Sequence, residues 1–112
     1  MSQVTTHILD TTRGRPAAGV TITMFEKVGM EWLEVAKGIT NQDGRISNLL
    51  KDDVILPYGV YKMNFDTKSY FEVHGLESFY PTVDIIFEIK IKEHYHVPLL
   101  LNPFGYSTYR GS

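Results

Sequence analysis

Between Thr82 and Glu93 the chain reads "TVDIIFEIKIKE", and apolar and polar residues change places at almost every step. Val83, Ile85, Phe87, Ile89 and Ile91 fall on one side; Thr82, Asp84, Glu88, Lys90 and Lys92 fall on the other, and Ile86 alone breaks the rule. A period of two is the signature of a strand with one face buried and one wet. A helix, repeating every 3.6 residues, would scatter those apolar side chains around its circumference. The pattern predicts a long half-buried antiparallel strand and commits the fold to sheets.

The period recurs. "YGVYKMNFD" sets Tyr61, Met63 and Phe65 against Lys62, Asn64 and Asp66; "GVTITMFEKV" sets Val20, Ile22 and Met24 against Thr21 and Thr23; "EWLEVAK" alternates through Leu33 and Val35. β-Branched and aromatic residues, which pack well on a pleated surface, fill these runs. Breakers lie between them: "RGRPAAG" at 13–19, Val28-Gly29-Met30 as a tight hairpin connection, and the Asp-Gly turn of "TNQDGR" at 40–45. One helix is expected, Thr67 to His74, with Thr67 as its cap and Gly75 at its end. No internal repeat or linker interrupts the series. The expectation is a mainly β fold, a β-sandwich of seven to eight strands with one short helix, forming a single domain over residues 1–112.

Composition narrows the functions. The 112 residues carry 11 Lys and Arg against 13 Asp and Glu, a net charge of −2, which offers neither nucleic acid nor an anionic membrane an electrostatic hold. The chain has no cysteine, so disulfides, thiolate metal sites and cysteine nucleophiles are excluded. Its apolar runs are too short to span a bilayer. "MSQVTTHILD" lacks the basic and apolar regions of a secretory signal, and the expected location is the cytoplasm.

The last nineteen residues, "HYHVPLLLNPFGYSTYRGS", read as a hairpin turning at Asn102-Pro103-Phe104-Gly105. With Leu101 opposite Tyr106, counting outward sets Pro98 against Tyr109, Val97 against Arg110 and His96 against Gly111. Ser112 then lies beside Tyr95 and His96. Pro98 has no N–H to donate, so it must take a position that does not need one. His94 and His96, two residues apart, share a face. His7 in "VTTHILD" and Arg45 after the Asp-Gly turn complete a possible polar group with Tyr109, Arg110 and Ser112. Periodicity alone does not bring His7 or Arg45 into it. A histidine on the polar face of a strand is most often a plain surface residue. His-x-His with a distant third histidine also has the donor chemistry of a metal site, though no carboxylate stands at a matching spacing.

Taken together, "THILDTTRGRPAAGV", "TNQDGR", "FYP" and the terminal "HYHVPLLLNPFGYSTYRGS" resemble the transthyretin-related 5-hydroxyisourate hydrolases, over the whole chain. The closing Tyr-Arg-Gly-Ser is the most specific part. The hormone-carrying transthyretins share that family's fold but lack the tetrapeptide and the matching histidines and arginine. The resemblance implies hydrolysis of 5-hydroxyisourate to 2-oxo-4-hydroxy-4-carboxy-5-ureidoimidazoline in urate degradation, without a cofactor or catalytic metal. It implies a catalytic group of His7, Arg45, His96 and Ser112, with Tyr109, Arg110, Gly111 and His94 around the substrate. It also implies a homotetramer with active sites at the interface between dimers. Two other functions remain open: a transthyretin-like carrier of small molecules, and a protein binding zinc through His7, His94 and His96, as some members do.

Overall fold

The computed structural model describes all residues, Met1–Ser112. Two four-stranded sheets face each other. In chain order the elements are β1 (Val4–Asp10), β2 (Arg15–Pro16), β3 (Thr21–Val28), β4 (Glu31–Ile39), β5 (Gly59–Phe65), α1 (Thr67–Val73), β6 (Val83–Ile89), β7 (Tyr95–Asn102) and β8 (Gly105–Thr108). One sheet runs β2-β1-β7-β8 and the other β4-β3-β5-β6. The sandwich of eight strands and one helix is the expected architecture, with β2 reduced to two residues.

Alternation decides which side of each strand goes inside. Val4, Ile8, Val97, Leu99 and Leu101 from one sheet meet Ile22, Met24, Tyr61, Met63, Phe65, Val83 and Ile89 from the other in a single core. Fully burying side chains of this size contributes on the order of 1.5–3 kcal/mol each. Since Val4, Thr6, Ile8 and Asp10 point in, Thr5, His7 and Leu9 must point out, and they are half-buried on the outer face. On β7 the same parity sends His96 outward beside them. β1 and β7 run parallel, with Thr5 opposite His96 and His7 opposite Pro98. Every other strand pair is antiparallel.

Three details differ from the sequence expectation. The strand expected over 82–92 stops at Ile89, and Ile91 is 52% exposed, because the chain must turn there to cross to the other sheet. Tyr95 takes over the strand's end: its hydroxyl accepts hydrogen bonds from the Lys90 and Ile91 amides. A register shift between Met24 and Phe25 of β3 leaves Val35 of β4 without a partner, a bulge that breaks the alternation expected through Leu33 and Val35; Leu33, opposite Glu26 near the end of this edge strand, is exposed. The helix is capped by Asp66, not Thr67: the Asp66 carboxylate accepts from the Ser69 amide at 3.3 Å, while Thr67 is buried and donates to the Tyr80 carbonyl. Gly75 follows the helix with φ 69°, a conformation that favours glycine.

A buried carboxylate joins this helix to β1. Asp10 is fully buried at the end of the strand. Its Oδ1 accepts from the amides of Thr12 and Arg13, and its Oδ2 accepts from the Tyr70 hydroxyl at 2.7 Å. Burial, reinforced by that bond to Asp10, raises the Tyr70 pKa. Replacing Tyr70 with phenylalanine leaves Oδ2 without its donor. The Tyr70→Phe protein is therefore expected to lose about 1–3 kcal/mol of stability in urea denaturation, with the slope of the transition unchanged. An unaltered midpoint would show that the bond carries no net stability.

Candidate active site

The outer face of the β2-β1-β7-β8 sheet holds an open cleft of about 470 Å³. Thr5, His7, Arg45, His94, His96, Tyr109, Gly111 and Ser112 line it, together with Met1. Seven of the eight residues singled out from the sequence thus meet in one place, drawn from four separate stretches of chain.

β1 supplies Thr5 and His7 by parity. Arg45 arrives on the turn that follows β4. Within it the Asn41 side chain accepts hydrogen bonds from the amides of Asp43 and Arg45, and the Gly44 amide donates to the Asn41 carbonyl. Buried Thr40 anchors the turn by accepting from the Val20 amide and donating to the Ala17 carbonyl. The turn then docks edge-on against β1. The Ile8 amide donates to the Gly44 carbonyl at 2.9 Å, and His7 and Arg45 form a β-bridge. Gly44 has φ +71°, and a Cβ there would lie 2.5 Å from the Ile8 carbonyl oxygen. Only glycine lets the backbones approach this closely.

The terminal hairpin keeps the register counted from sequence. Leu101 faces Tyr106, Leu100 faces Ser107 and Leu99 faces Thr108, while Asn102 also pairs with Gly105 and tightens the loop to Pro103-Phe104. β8 stops at Thr108, where the next partner would be Pro98. Thr108 donates its side-chain hydroxyl to the Pro98 carbonyl instead. Pairing resumes at Gly111, whose amide donates to the His96 carbonyl at 2.9 Å. A Cβ on Gly111 would come within 2.5 Å of His96 Cδ2, so the tail lies directly against the imidazole.

Arg110 is not brought into the cleft. Its guanidinium pairs with Glu93 and lies 4.4 Å over the Tyr95 ring. Alternation explains this: Gly111 packs on the outer face, so its neighbour turns the other way. The residue that sequence reasoning missed is Thr5. A threonine in a strand reads as ordinary β propensity, and only the parallel register with β7 shows that it stands opposite His96. Its Oγ1 lies 2.7 Å from both His94 Nε2 and His96 Nδ1, between two rings stacked at 6.3 Å. No three histidine, aspartate or glutamate side chains are arranged to hold a metal ion. No helix is long and apolar enough to cross a membrane.

Electrostatics set the protonation of the cleft. Burial pushes the His7 and His96 pKa values below the ordinary 6.5, and the nearby Arg45 charge pushes them the same way. For His96 the other two histidines add to the effect, while Asp43 partly opposes it at His7. Both rings are therefore neutral at pH 7, able to accept a proton. Two neutral imidazoles have the chemistry to act as a base and then as an acid, and a guanidinium fork has the donors to bind a planar, oxygen-rich group.

Comparison with known proteins agrees with this chemistry. Residues 4–111 match the model of the HIUase/transthyretin family. A mouse protein named 5-hydroxyisourate hydrolase is 46% identical, covering 99% of this chain and 96% of its own length. The 5-hydroxyisourate hydrolase of Salmonella typhimurium is 47% identical over 95% of this chain and 78% of its own. Among solved structures, sea bream transthyretin in complex with thyroxine superposes with a TM-score of 0.92 at 33% identity, covering 98% of this chain and 95% of that one. The Klebsiella pneumoniae 5-hydroxyisourate hydrolase superposes at 0.84 with 38% identity, covering 97% and 98%. Backbone likeness does not separate carrier from hydrolase; the side chains in the cleft must do so.

The depressed pKa values have a measurable sign. The folded protein binds protons at His7 and His96 less readily than the unfolded chain does. Stability contributed by keeping them neutral is complete above pH 6.5 and is lost progressively as the pH falls from 6.5 through the folded pKa values. Arg45→Met removes the second cause of the shift while leaving burial in place. In an NMR titration both rings should then titrate at higher pH than in the parent protein. Unchanged midpoints would show that Arg45 does not act on them.

Proposed function

This chain belongs to the HIUase/transthyretin family, and from that premise we propose that it is a catalyst, hydrolysing 5-hydroxyisourate to 2-oxo-4-hydroxy-4-carboxy-5-ureidoimidazoline in urate degradation. The observation that carries the reading is the chemistry of the cleft. A carrier of apolar ligands needs apolar side chains where His7, Arg45, His96 and Ser112 stand, and here two neutral imidazoles and a guanidinium line the surface instead.

The reaction adds water to a ring carbonyl and opens the amide. It needs a base to take a proton from water, donors for the developing oxyanion, and an acid for the departing nitrogen. In this reading His7 and His96 handle the protons, both being neutral at pH 7. Arg45 orients the substrate and steadies the negative charge; the turn docked on β1 holds it there. Ser112, carried to His96 by the Gly111 bridge, places water or substrate. Tyr109, Gly111 and His94 complete the walls. Arg110 serves this site by anchoring the tail to Glu93, not by facing the substrate.

We further propose a cytoplasmic homotetramer whose active sites lie where dimers meet, each cleft being closed by a neighbouring subunit. The openness of the cleft on an exposed sheet face supports this. Light scattering after size-exclusion chromatography tests it, and a fully active monomer would contradict it.

Activity is tested by generating 5-hydroxyisourate with urate oxidase and following its ultraviolet decay. The protein should accelerate the decay, and no acceleration over buffer would defeat the enzyme reading. Proton transfer by a positioned side chain is worth about 10²–10⁴-fold, so His7→Asn and His96→Asn should each lose about that much. Deleting residues 110–112 should abolish hydrolysis while largely sparing the fold. Retention of parental activity in that truncated protein would remove the tail from the site.

A further inference from the structure

Thr5 occupies a position that the catalytic scheme leaves unused. Its single hydroxyl oxygen contacts two imidazole nitrogens at the same 2.7 Å, His94 Nε2 and His96 Nδ1. A hydroxyl has one proton. It can donate to only one ring but has two acceptor lone pairs, so at least one ring must donate its own N–H to Oγ1. Where Thr5 also donates to a ring, two arrangements remain. In one, His96 carries its proton on Nδ1 and Thr5 donates to His94; in the other, both directions reverse. His96 Nε2 takes no hydrogen bond from the protein, and it sits on the ring edge against which Gly111 packs. The first arrangement leaves that nitrogen with a bare lone pair, which a base requires.

We propose that Thr5 is a positioning residue that holds His96 in the Nδ1-protonated form and links it to His94 as a proton acceptor. The inference rests on the hydrolytic reading of the cleft. When His96 Nε2 takes a proton from the attacking water, its Nδ1 proton passes to Thr5 Oγ1. The Thr5 proton passes in turn to His94 Nε2. The result is His96 neutral and protonated on Nε2, Thr5 unchanged, and His94 cationic. His96 now holds the proton on the nitrogen nearest the substrate, ready for the departing ring nitrogen. Reversing the relay returns the proton from His94 and restores the starting state. One ring thus acts first as base and then as acid without turning over, and the positive charge waits on His94 meanwhile. Alignment supports this: Thr5 and His96 are locked opposite each other in the parallel ladder, and the two rings stack with an interplanar angle of 22°.

The test compares Thr5→Val, which keeps the shape and removes the hydroxyl, with Thr5→Ser, which keeps the hydroxyl. Long-range proton–nitrogen NMR spectra of the uniformly labelled parent protein should show His96 protonated on Nδ1. Thr5→Val should abolish that preference and lower kcat by about tenfold or more, with KM within about twofold of the parent; Thr5→Ser should restore both tautomer and kcat. The proposal is overturned if parent His96 carries its proton on Nε2, or if Thr5→Val keeps parental kcat. An active parent with an indifferent Thr5→Val protein defeats the relay alone. An inert parent defeats the hydrolase reading, and the relay with it, whatever the tautomer.

Discussion

The parallel pairing of β1 with β7 is the contact on which the site depends. It runs seven residues, from Val4 against Tyr95 to Asp10 against Leu101. Its inner side fills the core with Ile8, Val97 and Leu99; its outer side sets Thr5 and His7 beside His96. A slip of one residue in either strand would send that strand's side chains to the opposite face, exchanging the polar residues of the cleft for buried aliphatics. Core packing therefore protects the chemistry. The energy that resists a slip comes from apolar burial, whereas the residues thus aligned are polar and contribute little to stability themselves.

Around this ladder the fold adds parts whose geometry depends on small residues. Gly44 lets a turn press against the backbone of β1 and so delivers Arg45; Gly111 lets the tail press against the His96 ring. In both places the absent side chain is the functional feature. The charge of the arginine delivered in this way adds to burial in lowering the pKa values of the neighbouring imidazoles.

Much of the architecture was legible in the sequence, because alternation is a local property. The strands built on Tyr61, Met63 and Phe65 or on Val83, Ile85 and Ile89 declare their buried faces directly. The hairpin register from Leu101 outward followed from counting. What escaped was settled by tertiary contacts. Val35 falls at a bulge that no local pattern announces, and Asp66 caps the helix because Thr67 is drawn inward to Tyr80. Within the site, His96 and Ser112 could be joined by a hairpin count, but His7, Arg45 and Thr5 reach them through pairings across most of the chain. The family resemblance supplied the first two. Thr5 became visible only in the folded sheet, since nothing distinguishes it from Thr6 beside it except the direction in which it points.

The Thr5–His96 contact also has a temporal meaning, since its members lie 91 residues apart in the sequence. Contacts of such separation form late, after the entropy of closing the intervening loop has been overcome. β1 can meet β2 and the Gly44 turn early, but its edge toward β7 stays unpaired until β7 has been made. In the other sheet, β3 and β4 can pair meanwhile across the tight turn at Gly29-Met30, and β5 can meet β6 across the segment that carries α1. The cleft then appears only as β7 and β8 close onto β1, so a chain whose parallel ladder has not formed holds Thr5 and His7 apart from His96.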